Sequence, residues 1–270
     1  MKSDRIHINQ HFSFKRLLLI MRRDILTHYR TIIITFAAVG GFAIFASTVS
    51  MLNGSQGRFH LIYYLLALFV SGFIFTSRVF REIYTPVKSY TYATLPGSLL
   101  EKYIERWILS SVGYVVATFA AYYVIVLASE GINQLLFGSS HGFLNPAQKP
   151  FLIGVAVFLV LQGMFFAGAV VFKKHPLIKT LLMVALAAFL LMVIALVAAR
   201  LVIPDYFEIT ARTGGGISSP RELATLLGLT EEGLKTLGKT LWIALRIIFW
   251  ALLAPCCWVL SFLKFKKIEV

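Results

Sequence analysis

Six apolar runs of about twenty residues alternate with polar breaks along the chain, at 31–52, 60–80, 108–129, 151–172, 180–203 and 241–263. A helix rises about 1.5 Å per residue, so each run is long enough to cross the roughly 30 Å hydrocarbon core of a bilayer. The pattern predicts an all-α membrane protein with six transmembrane helices. Small residues at helical spacing, Ala37 with Gly41 and then Gly154, Gly163 and Gly168, mark places where spans approach closely.

The polar breaks predict elements of their own. Before the first span, Phe14, Leu17, Leu18, Met21 and Ile25 recur at roughly helical spacing, with Lys15, Arg16, Arg22 and Arg23 on the polar part. That is an amphipathic helix too charged to span and suited to lie in the interface, so residues 1–30 stand apart from the six-span domain of 31–270. The stretch 81–107 holds the turn Leu95-Pro96-Gly97, followed by Ser98-Leu99-Leu100-Glu101, which has the form of a capping box. A Ser98 hydroxyl accepting from the Glu101 N–H, and a Glu101 carboxylate reaching back to the Ser98 N–H, start a short helix at Leu99. A second long break, 204–240, carries Gly214-Gly215-Gly216, another box at Ser219-Pro220-Arg221-Glu222, and leucines at 223, 226, 227, 229, 234 and 237. It predicts one or two short amphipathic helices on the membrane surface before the last span. Glu130 to Pro150 is punctuated by Gly138, Gly142, Asn145 and Pro146 and predicts a loop.

Composition agrees with the pattern: 58% of residues are hydrophobic and the mean hydropathy is +0.79, beyond the range of ordinary soluble domains. A net charge of +14 in a soluble protein would raise the question of nucleic acid. Here the basic residues lie between spans and report topology instead. Eighteen of them fall on the side of the termini and of loop 81–107, six on the other side, and Arg200 and Arg246 within spans. The count places both termini and loop 81–107 in the cytoplasm and 204–240 outside. The polar and basic start lacks a secretory signal's short apolar core, so the first span is expected to serve as the targeting signal. Cys256 and Cys257 are adjacent in an apolar run and read as packing or lipid-side residues.

Catalytic chemistry finds no constellation, and the expectation is a chain that is not an enzyme. Histidines at 7, 11, 28, 60, 141 and 175 show no ligand spacing, and no G-x-S-x-G elbow occurs. No Asp or Glu falls inside a predicted span, which argues against ion-coupled transport. Residues 233–240, Gly-Leu-Lys-Thr-Leu-Gly-Lys-Thr, match the phosphate-loop pattern to the letter. With no strand before them and a span directly after, they read as a chance match. Arg246 stands about a turn and a half into the last span. It either snorkels to the surface or faces inward to hold an anionic headgroup, or to pair with Asp205 or Glu208.

The layout as a whole, with Glu82 just past the second span and then Thr94-Leu95-Pro96-Gly97-Ser98-Leu99-Leu100-Glu101-Lys102-Tyr103, resembles an ATP-binding-cassette (ABC) transporter permease of the type-2 exporter class. The likeness covers nearly the whole chain in layout, through a short local motif and with a longer, more aromatic approach through Tyr84, Tyr90 and Tyr92. It implies that the lead-in is an elbow helix and that Glu82 is the family's acidic position after the second span. It also implies that Pro96, Ser98, Leu99, Leu100, Glu101, Lys102, Tyr103, Glu105 and Arg106 form a coupling helix docked on a separate ATPase subunit. On the residues alone, Leu99, Leu100 and Tyr103 offer an apolar knob and the charged residues a polar rim. The implied partners are ABC ATPase subunits, which would bind the ATP and Mg, a second permease copy or homologous permease, and membrane lipids. No cofactor is expected in this chain, and the implied place is the bacterial inner membrane. The alternative is a non-transport membrane scaffold or immunity protein with the same spans.

Overall fold

A computed structural model describes residues 12–52, 59–85, 97–139, 141–202 and 230–269. Every regular element among them is helical: α1 (Phe14–Leu52), α2 (Phe59–Arg78), α3 (Leu99–Ser110), α4 (Val112–Phe137), α5 (Lys149–Val171), α6 (Pro176–Val202), α7 (Glu231–Ile247), a π-helical stretch (Ile248–Leu253) and α8 (Ala254–Glu269). Six helical segments are long and apolar enough to cross a membrane. Met1–Leu177 with Ala254–Val270 form one compact unit and Ile178–Leu253 a second.

The lead-in and the first span are one helix. The sequence pattern separates an interfacial element from a span at residue 31, yet α1 runs unbroken for 39 residues, about 58 Å at helical rise. No Pro or Gly interrupts residues 14–39, so nothing in the chain supplies a break between the charged and the apolar halves. Leu17, Ile20 and Asp24, at i, i+3 and i+7, are the buried face of the first half.

The third span differs at both ends. Ser111 leaves helical geometry at φ −106° and ψ −98°, which divides α3 from α4. At the far end α4 continues eight residues beyond the predicted boundary at 129, through Glu130 and Asn133 to Phe137, and stops at Gly138 in the left-handed region, φ 65°. The expected loop from 130 is therefore helix as far as 137. The polar residues did not end the helix because Glu130 and Asn133 continue the inward face of Tyr122 and Val126 and find partners there. Glu130 thus lies within the apolar helix α4, one residue past the expected end of the third span at 129.

Two aromatic cores hold the first unit. One joins Ala43 of α1, Leu61, Tyr64 and Leu68 of α2, Tyr122 and Val126 of α4 and Phe158 of α5. The other joins Val79 and Phe80 after α2 to Tyr103 of α3, Phe166 and Val170 of α5 and Phe265 of α8. A Cβ on Gly72 would stand 2.5 Å from Phe158, and one on Gly154 would stand 2.5 Å from Leu65, so α2 and α5 meet at two notches. In α1 the close position is Gly40, facing Ile125 of α4, while Gly41 of the predicted pair has open space.

In the second unit, residues 233–240 lie inside α7. Their N–H groups beyond the first turn are committed to the helix, so they cannot form the phosphate cradle that the letters spell. Thr230 caps this helix by accepting from Gly233 N at 3.1 Å. The Gly214–Gly216 hinge and the box at Ser219 and Glu222 fall outside the described residues, as does Pro96.

Candidate functional site: a capped helix tied to three neighbours

The capping box forms as the sequence predicts. Glu101 N donates to Ser98 Oγ at 3.2 Å, and Ser98 N donates to Glu101 Oε2 at 2.9 Å. Ser98 sits in extended geometry, φ −68° and ψ 155°, the usual entry to a helix.

Glu101 does more than cap. It has no exposed surface, and its carboxylate also accepts from Ser13 N at 2.5 Å, from Arg16 Nη2 at 2.9 Å and from Arg16 Nε at 3.3 Å. One carboxylate thus closes the N-terminus of α3 and holds the start of α1. Burial pushes its pKa up, but the bonds from Arg16, Ser98 and Ser13 outweigh burial and hold it below the ordinary carboxylate value.

One turn further along, Arg106 gathers acidic groups from three places. Its Nη2 lies 2.8 Å from Asp24 Oδ2 of α1 and 2.9 Å from Glu82 Oε2 in the turn after α2, and its Nε lies 3.2 Å from Glu105 Oε2. His28 of α1 stands 3.9 Å from the other oxygen of Glu82. Burial pushes the Glu105 carboxyl up to about 8; the Arg106 charge pulls it down by less, and Asp24 and Glu82 push it further up. The shift favours the protonated form of Glu105, which reduces the buried negative charge sharing one guanidinium.

The apolar side of α3 reaches α8. Tyr103 OH donates to the Trp258 carbonyl at 2.7 Å, its ring lies against Phe166, Phe262 and Phe265, and Trp107 meets Trp258 edge-on at 5.1 Å. Tyr84, in the turn after α2, donates to the Val170 carbonyl of α5. A displacement of α3 would be felt at once by α1, by the turn carrying Glu82, and by α8.

Of the residues singled out in the sequence, Glu82, Ser98, Leu99, Glu101, Lys102, Tyr103, Glu105 and Arg106 come together here. The charged residues do not form an open rim: Glu101, Lys102, Glu105 and Arg106 are all buried, and Glu101, Glu105 and Arg106 meet partners within the chain. Leu100, at 42% exposed, is the part of the predicted knob that remains open. Arg246 belongs to the second unit and is exposed on α7 in an open hollow with Ile247, Trp250 and Ala251. Its candidate partners Asp205 and Glu208 lie outside the described residues.

A second polar cluster escaped the sequence reading: His60 of α2, Glu130 and Asn133 of α4, Ser47 of α1 and His141 beyond α4. The available signal was the helical period of Tyr122, Val126, Glu130 and Asn133, which runs past residue 129 to the Gly138 stop. Among the described residues no group of three or more His, Cys, Asp or Glu side chains is arranged to hold a metal ion.

The architecture defines a class, a multi-pass helical membrane protein. No family model, curated protein or solved structure matches the chain.

Proposed function

We propose that this chain is the membrane-spanning permease subunit of an ABC transporter of the type-2 exporter class, driven by a separate ATPase subunit that binds ATP and Mg. The observation that carries the reading is the position and wiring of α3. A short capped helix between the second and third spans presents Leu100 at its free end. Its body is bonded to α1 through Glu101 and Arg106, to Glu82, and to α8 through Tyr103. A force applied at the Leu100 end reaches three segments of the bundle without a flexible intermediate.

The charge distribution supports a cytoplasmic place for α3 and both termini, in a bacterial inner membrane, where ATP is available. Two permease copies, or this chain with a homologous one, would enclose the translocation path. The aromatic and aliphatic composition of the spans favours an amphipathic or lipid-like cargo. Nucleic acid has no part in this reading.

The same geometry also favours a second reading, a non-transport scaffold or immunity protein, because the charges of Glu101, Glu105 and Arg106 are engaged inside the chain. Affinity purification of the full chain from its own membranes in mild detergent separates the two. Transport requires an ATP-hydrolysing subunit in the eluate, reduced at least about tenfold by Leu100→Asp, a cost typical of losing one apolar anchor. A chain recovered without any ATPase supports the scaffold.

A further inference from the structure

Lys239, Trp242, Arg246 and Trp250 stand at i, i+3, i+7 and i+11, so cations and indoles alternate along one face of α7 and the turn that follows it. All four are exposed, Trp242 at 68% and Trp250 at 38%. Phe249 meets the Trp250 ring edge-on at 5.4 Å and props it beside a hollow of about 320 Å³ lined by Arg246, Ile247, Trp250 and Ala251. The helix turns π-helical at Ile248, within this hollow's length, and such wider turns recur at functional sites.

The charge of the stripe is unbalanced. Among the described residues neither Lys239 nor Arg246 has a carboxylate partner. Glu231 and Glu232 open α7, about two turns from Lys239 and four from Arg246.

Depth then selects the occupant. The last apolar segment begins at Lys239, and seven residues at helical rise put Arg246 about 10 Å further in, where an uncompensated charge is costly. Helical side chains lean toward the N-terminus of their helix, so Arg246 and Trp250 reach back toward the polar end at Lys239. A phosphate there meets a guanidinium whose planar fork matches its oxygens. It also meets two indoles, whose N–H groups suit the boundary between headgroups and acyl chains. The flanking Leu245 and Ile247 are exposed and apolar, as acyl chains require. An acidic protein surface would have to enter the apolar segment to reach Arg246, whereas a lipid already lies at that depth. Two cations without carboxylates favour a headgroup of net negative charge over a zwitterionic one, whose own cation Lys239 would repel.

We propose that this stripe is a binding site for one anionic phospholipid, with its phosphate on Arg246 between Trp242 and Trp250 and with Lys239 attracting the headgroup from the polar end. The site stands on α7 and the π-helical stretch alone and holds whether or not the chain is a permease.

The full chain in phosphatidylcholine nanodiscs, with a trace of headgroup-photoreactive phosphatidylglycerol, tests it, the crosslinks being located by peptide mass spectrometry. Labelling is expected within 242–251, displaced by unlabelled phosphatidylglycerol and not by further phosphatidylcholine. Arg246→Gln is expected to lower that yield about tenfold or more, the loss typical of one charge-assisted hydrogen bond. Arg246→Lys keeps the charge and should lose less. Lys267→Gln, near the end of the same apolar segment, should leave the yield unchanged. If Arg246→Gln does not fold, the two competition arms on the wild type decide. Equal labelling of 242–251 by a photoreactive phosphatidylcholine marks mere contact with the bilayer and overturns the proposal. Absent labelling in the wild type, an unchanged yield in Arg246→Gln or an equal loss in Lys267→Gln also overturns it.

Discussion

Arg106→Met tests whether α3 is joined to the bundle as the geometry indicates. The guanidinium is 10% exposed and reaches Asp24, Glu82 and Glu105 within 3.2 Å. Removing one partner of a buried ion pair costs about 3–5 kcal/mol, because the other charge is left without compensation. Two features place this site at the low end. Glu105, with its carboxyl pushed up to about 8, carries less charge at pH 7 than an ordinary carboxylate, and the Glu82 side chain is 22% exposed and keeps some water. The loss falls mainly on Asp24, whose side chain is 6% exposed, so about 3 kcal/mol is expected. Thermal unfolding of the purified full chain, followed by tryptophan fluorescence, reads the change close to its source, since Trp107 adjoins Arg106. Asp24→Asn removes the stranded charge, and the double variant should recover about 2 kcal/mol of the loss, within the range for directly bonded pairs. Wild-type stability in Arg106→Met, or strictly additive losses in the double variant, would refute the assigned network.

With the Glu105 carboxyl pushed up from its ordinary 4.5 to about 8 by burial, the folded chain holds a proton that the unfolded chain loses over that interval. The stability that Glu105 contributes should therefore be fullest at acid pH and fall as pH rises from about 4.5 to about 8. Glu105→Gln should flatten that fall and raise the melting temperature above pH 8; a curve parallel to the wild type would contradict the raised carboxyl. Gly72→Ala places a methyl 2.5 Å from Phe158, which is fully buried and stacked on Phe73, so about 1–3 kcal/mol of overpacking is expected in a melting experiment. Gly154→Ala meets the flexible end of Leu65 and should cost less, so the reverse order would be wrong for this packing. Lys239→Ala should leave nucleotide binding by the isolated chain at background in equilibrium dialysis, because residues 233–240 are helical.

How far the chain could be read in advance depended on whether the signal was local. The six apolar segments and the capping box at Ser98 and Glu101 were legible because hydrophobic length and cap chemistry are local properties. The continuity of α1 was hidden by the change from basic amphipathic to apolar at residue 31. That change looks like a boundary in composition, but the backbone has no Pro or Gly there to act on it. Glu130 and Asn133 were misread for a related reason. Polar residues end a helix only when solvent is the better partner, and here His60, Ser47 and Gly142 supply partners from distant parts of the chain. The charged face of α3 likewise resembles a rim for another molecule in the sequence, because its partners, Asp24 and Arg16 of α1 and Ser13 just before it, are distant in the chain.

In the proposed permease, the free end of α3 receives a push from an ATPase subunit. A photo-crosslinking amino acid at position 100, in the full chain within its native membranes, tests it most directly. Illumination should join the chain to an ATP-hydrolysing protein, with the yield falling in Arg106→Met, where α3 loses its ties to Asp24 and Glu82 and keeps only the Glu101 tie to α1. Crosslinks confined to lipid, to this chain itself or to proteins without ATPase activity would contradict the account.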